Sequence, residues 1–223
     1  MMLPFSGGIE ETANATLVFS LAAALLHAVS PAPMRPLAKT AARTLAIAVL
    51  GVLAAVQNGP PLLVGALALA SLGQVLQSLD DARARLGSRA SDLAAHLTYA
   101  VLFASAGGGW GEIILEPWRA GLALVVIAAA AVLFLRLMRQ AGPDERAAGA
   151  VYAVAVVGMV LAALTTEGPG SIAGALLLAW SDVLTAAQRF LLAASPNCEA
   201  ARIAAWMSGY VGQLLITMAF LLA

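Results

Sequence analysis

The chain has 223 residues, 61% of them hydrophobic and only 11% charged, with a mean hydropathy of +0.90. Soluble domains carry about 25% charged residues, so this composition excludes an ordinary water-soluble domain and reads as a membrane protein. Twelve basic residues balance twelve acidic ones, which removes the electrostatic footprint of a nucleic-acid binder.

At the N-terminus, residues 1–15 lack the positive stretch of a secretory signal and carry Glu10 and Glu11. They read as a short extramembrane tail ahead of one transmembrane domain, residues 16–223. Asn14-Ala15-Thr16 fits a glycosylation sequon, a pattern frequent by chance, and it abuts an apolar segment.

The expected fold is all-α, a polytopic membrane protein with eight transmembrane helices. The apolar segments run Thr16–Val29, Pro36–Val56, Pro61–Leu79, Ser91–Ala106, Ala120–Met138, Ala147–Thr165, Ser171–Phe190 and Ala201–Leu222. Breakers separate them: Pro31, Pro33 and Pro36; Asn58-Gly59-Pro60-Pro61; Gly107-Gly108-Gly109; Gly142-Pro143; Gly168-Pro169-Gly170; Ser195-Pro196-Asn197.

Eleven of the 12 basic residues fall at alternate connections: Arg35, Lys39 and Arg43; Arg83, Arg85 and Arg89; Arg136, Arg139 and Arg146; Arg189 and Arg202. Only Arg119 lies on the other side, near Glu112 and Glu116. By the positive-inside rule the alternate connections are cytoplasmic and both termini lie outside, as expected of a protein of the plasma (inner) membrane.

With that orientation, polar residues of five segments share the cytoplasmic half of the bilayer. Lys39 and Arg43 open the second segment, Ser71 and Gln74 lie late in the third, and Asp92, His96 and Tyr99 begin the fourth. Ser181 and Asp182 sit deep in the seventh, and Tyr210 and Gln213 near the middle of the eighth. They read as one polar cavity open to the cytoplasmic leaflet. The third and seventh segments, SLGQVLQS and WSDVLTA, align Gln74 with Asp182, a short match compatible with a four-plus-four duplication or with coincidence.

A lone carboxylate in hydrocarbon costs about 2.5–3.5 kcal/mol on insertion scales, so Asp182 is retained for a function or for bonding between helices. A carboxylic acid kept protonated in an apolar setting can give its proton to a substrate. Asp92, His96 and Tyr99, at i, i+4 and i+7, line one helical face. A carboxylate one turn from an imidazole is a general-base arrangement; an interfacial Asp92 and a His96 bonded to a neighbouring helix are the plainer alternative. Lys39 and Arg43 suit a phosphate or serve as topogenic charges. Cys198 is the only cysteine, and with only His27 and His96 there is neither a disulfide framework nor a zinc signature. No metal or organic cofactor is expected. No GxSxG, HExxH or Walker motif occurs.

From Arg35 onward the chain resembles the YhhN-like lysoplasmalogenases, eight-helix membrane proteins. Arg35-Pro36-Leu37 looks like the family's K-P-L, ALASLGQVL is similar to its S-L-L-G-D segment, and HLTY at His96–Tyr99 to its H-L-L-Y. Tyr152 with Met159-Val160-Leu161-Ala162, GALLLAWSDVLTAAQRF and YVGQLLI complete the likeness. It implies hydrolysis of the vinyl-ether bond of lysoplasmalogens to a fatty aldehyde and a glycerophospho-base. Asp182 would be the acid, with His96 and Tyr99 positioning water or substrate and Asp92 the candidate to replace the family's second carboxylate. Gln74, Lys39, Arg43, Ser181, Tyr210 and Gln213 would bind the lysophospholipid. One departure stands out: the family's helix-3 G-D is Gly73-Gln74 here, and an amide hydrogen-bonds without shuttling a proton. The alternative reading is an inactive or altered member that binds lipid or transports a small solute through the same cavity.

Overall fold

Proline sets the start of most helices in this chain. A computed structural model describes residues 4–29, 36–79, 81–139, 142–191, 195 and 197–223. Arg35, the breakers Pro31 and Pro33, and Pro196 lie outside the described residues. Nine helices are found there: α1 Thr12–Val29, α2 Pro36–Val56, α3 Pro61–Gln77, α4 Ala82–Ala106, α5 Gly111–Leu115, α6 Pro117–Met138, α7 Pro143–Ala163, α8 Pro169–Phe190 and α9 Cys198–Leu221. No strand occurs among these residues.

Pro61, Pro117, Pro143 and Pro169 each occupy the first turn of a helix, where the missing N–H has no partner to lose. Three helices therefore begin two to four residues before the hydropathy signal does, at Pro117, Pro143 and Pro169 instead of Ala120, Ala147 and Ser171. Helix α4 starts at Ala82, well ahead of Ser91, because Arg83, Arg85 and Arg89 continue a helix that hydropathy alone ends. Helix α5 has no counterpart among the predicted segments.

Among the described residues six helices are long and apolar enough to cross a membrane: α1, α2, α6, α7, α8 and α9. Helix α3 is apolar but only 17 residues long, and α4 carries three arginines and Asp92 in its first half.

The described residues form two compact units, one of residues 1–98 with 217–223 and one of residues 99–216. In the first, α1 packs on α2, and α2 on α3. Leu17, Ser20, Ala24 and His27 make a buried stripe on α1 at alternating spacings of three and four, and the Ser20 hydroxyl donates to the Ala46 carbonyl at 2.7 Å. Helix α2 ends in a Schellman turn: Asn58 takes φ 54°, its N–H donates to Ala55 O, and Gly59 N–H donates to Ala54 O at 2.8 Å. Two serines of α4 bond to backbone carbonyls of α3, Ser91 to Leu69 at 2.7 Å and Ser88 to Gly73 at 3.0 Å. In the first turn of α1, the buried Asn14 amide donates to the tail carbonyls of Phe5 and Gly8, both at 3.1 Å, and accepts from Phe5 N–H. The sequon nitrogen is thus engaged in folding the tail.

In the second unit α6 packs on α7 and α7 on α8. A Cβ built on Gly174 of α8 would lie 2.7 Å from the Gly212 carbonyl of α9, and one on Gly212 equally close to the Gly174 carbonyl. The two backbones touch because neither residue has a side chain. Arg119, 5% exposed, caps the end of α7: its Nη1 donates to the carbonyls of Leu164 at 2.6 Å and Thr166 at 3.0 Å, and its Nε donates to Glu116 at 2.8 Å. The one basic residue that departs from the charge pattern is therefore engaged in closing a helix terminus.

Candidate functional site

Polar residues gather in each unit on helices that are otherwise apolar. In the first unit they come from α2, α3 and α4. Arg43 of α2 donates through Nη2 to the Gln77 side chain and, at 3.4 Å, to the Gln74 carbonyl, joining α2 to α3. Lys39 lies one turn before Arg43, half-buried. On α4 the half-buried Asp92 projects against α3 so closely that a Cβ on Gly73 would stand 2.3 Å from its Oδ1. Glycine is therefore required at 73 for this carboxylate to sit where it does. His96 is buried one turn further along α4. The side-chain oxygen of Gln74 is buried and accepts no hydrogen bond among the described residues.

The second unit holds Asp182. Tyr152 of α7 donates its hydroxyl to Asp182 Oδ1 at 3.0 Å, tying the carboxyl group of α8 to the middle of α7. The neighbouring Ser181 turns to α9 and donates to the Ala205 carbonyl at 2.7 Å, against Gly209, where a Cβ would meet the serine oxygen at 2.8 Å. Towards the end of α8, Gln188 donates to the Cys198 carbonyl at 2.8 Å, and Arg189 pairs with Glu145 at the start of α7. On α9, Tyr210 is buried and stacks on Trp206, ring centroids 5.6 Å apart and 8° from parallel; Gln213 is buried one turn on. Tyr99, which also belongs to this unit, is buried and stacks on Phe103.

The structure thus brings Arg43 to Gln74 in one unit and Asp182 to Tyr152 in the other, and sets Asp92 against α3. Lys39, Arg43, Gln74, Asp92 and His96 lie in the first unit; Tyr99, Ser181, Asp182, Tyr210 and Gln213 lie in the second. Tyr152 is the functional candidate that the residue pattern missed. Its signal was available: it is the one hydrogen-bonding side chain in the middle of a segment otherwise built of Ala, Val, Leu, Gly and Met. An apolar groove of about 340 Å³ lies between α1 and α2, lined by Phe19, Leu26, Leu45 and alanines, and it contains none of the predicted site residues.

A family model described as the YhhN family matches residues 34–220. The chain belongs to the YhhN family. The match takes in every helix from α2 to α9, and so both polar groups of this YhhN protein. No curated protein and no solved structure matches the chain. Within the YhhN protein, the helix-3 position where the resemblance leads one to expect a carboxylate holds Gln74, and Asp92 of α4 sets its carboxylate against the preceding residue, Gly73.

Proposed function

We propose that this YhhN protein is an integral membrane hydrolase that cleaves the vinyl-ether bond of lysoplasmalogens. The observation that supports this most is the Tyr152–Asp182 hydrogen bond in a chain matched to the family along most of its length. A hydroxyl on Oδ1 fixes the plane of the carboxyl group and leaves the transferable proton to Oδ2. That proton goes to the enol-ether carbon remote from oxygen, giving an oxocarbenium ion. Water adds to the carbon bearing oxygen and gives a proton back to the Asp182 carboxylate, and the neutral hemiacetal breaks to a fatty aldehyde and a glycerophospho-base. Asp92, His96 and Tyr99 orient water or substrate, and Lys39 and Arg43 meet the phosphate. Gln74, Ser181, Tyr210 and Gln213 complete the substrate site.

The same proposal includes one eight-helix domain over residues 16–223, in which α3 and α4 also span. It further includes the four-plus-four repeat, termini outside the plasma (inner) membrane, and a cavity toward the cytoplasmic leaflet. Gln74 favours a second reading, a member that binds lipid or moves a small solute without cleaving it. Detergent-solubilised protein given an alkenyl lysophospholipid and its saturated alkyl counterpart separates the two. Aldehyde from the alkenyl lipid alone supports hydrolysis. Binding of both lipids without aldehyde overturns it in favour of the second reading.

A further inference from the structure

The connection between α4 and α6 carries large apolar side chains that face away from the protein. Trp110, Ile114, Leu115 and Trp118 are 58, 80, 79 and 53% exposed. They sit on a platform anchored from within. Ile113, between them in sequence, points inward and packs on Ala123, Leu164 and Ile172. Gly108 N–H donates to the Thr165 carbonyl at 2.9 Å, and Gly107 lies so close to Thr165 that a Cβ would be 2.0 Å from its hydroxyl oxygen. Arg119 clamps the other end onto Leu164 and Thr166, and the Trp118 indole donates to Glu116 at 2.7 Å. The segment is therefore held by the end of α4, the start of α6 and the end of α7 while its apolar side chains remain outside.

Four such side chains left exposed within nine residues are unfavourable in water. Further along, α6 exposes Leu124 and Val125 as well, on a helix long and apolar enough to cross a membrane. A span this apolar faces lipid, so the adjoining patch lies where headgroups meet acyl chains. Tryptophan favours that depth, with its ring in the apolar layer and its N–H at the polar boundary.

We propose that α5 and the flanking Trp110 and Trp118 form a membrane-interface anchor, seated on the headgroup–acyl boundary of the phospholipid leaflet that borders the α4–α6 connection. The anchor acts as a depth stop for the second unit and is independent of any catalytic activity.

The test uses the full chain in phosphatidylcholine vesicles. Because Cys198 is the only cysteine, a Cys198→Ser background with Ile114→Cys takes a single nitroxide. Leu115→Cys is a second site and Leu124→Cys a mid-span reference. The anchor predicts more collisions with oxygen than with a nickel chelate at 114 and 115, at a depth between free label in buffer and the label at 124. Collision rates equal to those of free label would overturn it, because the segment would then stand in water. Shielding from both reagents would also overturn it, in favour of a second copy or another protein. If neither cysteine variant folds, a Trp180→Phe, Trp206→Phe background leaves Trp110 and Trp118 as the only tryptophans. Quenching by lipids brominated near the headgroup, with protection from iodide, supports the anchor, and the reverse pattern overturns it.

Discussion

Adding one methyl group at Gly174 tests how α8 is held. An ideal Cβ there stands 2.6 Å from Ile216 Cγ1 and 2.7 Å from the Gly212 carbonyl oxygen, whereas ordinary contact begins at 3.4 Å. The isoleucine carbon can turn away, but the carbonyl is helix backbone, so α8 and α9 must part by several tenths of an ångström. Overpacking of this kind costs about 1–3 kcal/mol. Alanine's advantage over glycine in a helix returns roughly 0.5–1 kcal/mol. The balance is a loss of about 0–2.5 kcal/mol for Gly174→Ala. Gly158 of α7 has nothing within 4 Å of its missing Cβ, so Gly158→Ala keeps the helix term alone and gains roughly 0.5–1 kcal/mol. The assay is unfolding in mixed micelles of rising dodecyl sulfate content, followed by circular dichroism. Gly212→Ala meets the same contact from the other side, so combining it with Gly174→Ala costs less than the two losses added. Equal stability of Gly174→Ala and Gly158→Ala would refute the close crossing of α8 and α9.

Arg119→Met leaves the Leu164 and Thr166 carbonyls without this donor and Glu116 with the Trp118 indole alone, a loss of about 1–3 kcal/mol for orphaned buried acceptors; the same titration reads it. Arg119→Lys recovers only part, because an ammonium lacks the guanidinium fork. Tyr152→Phe removes the bond to Asp182. Hydrogen bonds between membrane helices average about 0.6 kcal/mol and reach about 1.7, so aldehyde release falls by about threefold to twentyfold. An unchanged rate would remove Tyr152 from the mechanism. Gln74→Asp restores the carboxylate that the resemblance places on α3, beside Arg43, and raises the rate of aldehyde release; an unchanged or lower rate would show that Asp92 already does this work or that none is needed.

The helical class and the family were legible in the sequence because both rest on patterns that run the length of the chain, hydropathy for the first and ordered short motifs for the second. Helix starts were less legible. Hydropathy registers Ala120, Ala147 and Ser171, whereas these three helices begin at the proline that occupies their first turn. The basic residues of α4 hid nine helical residues for a related reason, since charge ends a hydropathy window without ending a helix. Helix α5 escaped because five residues give no period to read. In the candidate site, Asp182 was visible as a charge out of place, but its partner was not, because nothing in a sequence pairs Tyr152 with a residue 30 positions away. The role of Gly73 was equally hidden, since it depends on where a carboxylate from α4 comes to rest. Arg119 looked like an exception to a charge rule; its two carbonyl partners only come together once α7 ends beside the start of α6.

The central claim is that the Asp182 carboxyl group delivers the proton, and one comparison tests it most directly. Aldehyde release from an alkenyl lysophospholipid is measured for wild type, Asp182→Asn and Asp182→Glu, each shown to be folded by its dodecyl sulfate midpoint. Loss of a general acid costs about 10²–10⁴ in rate, so the asparagine variant falls by that much while glutamate, which keeps the acid, retains part of the activity. Wild-type rates in folded Asp182→Asn would contradict the account.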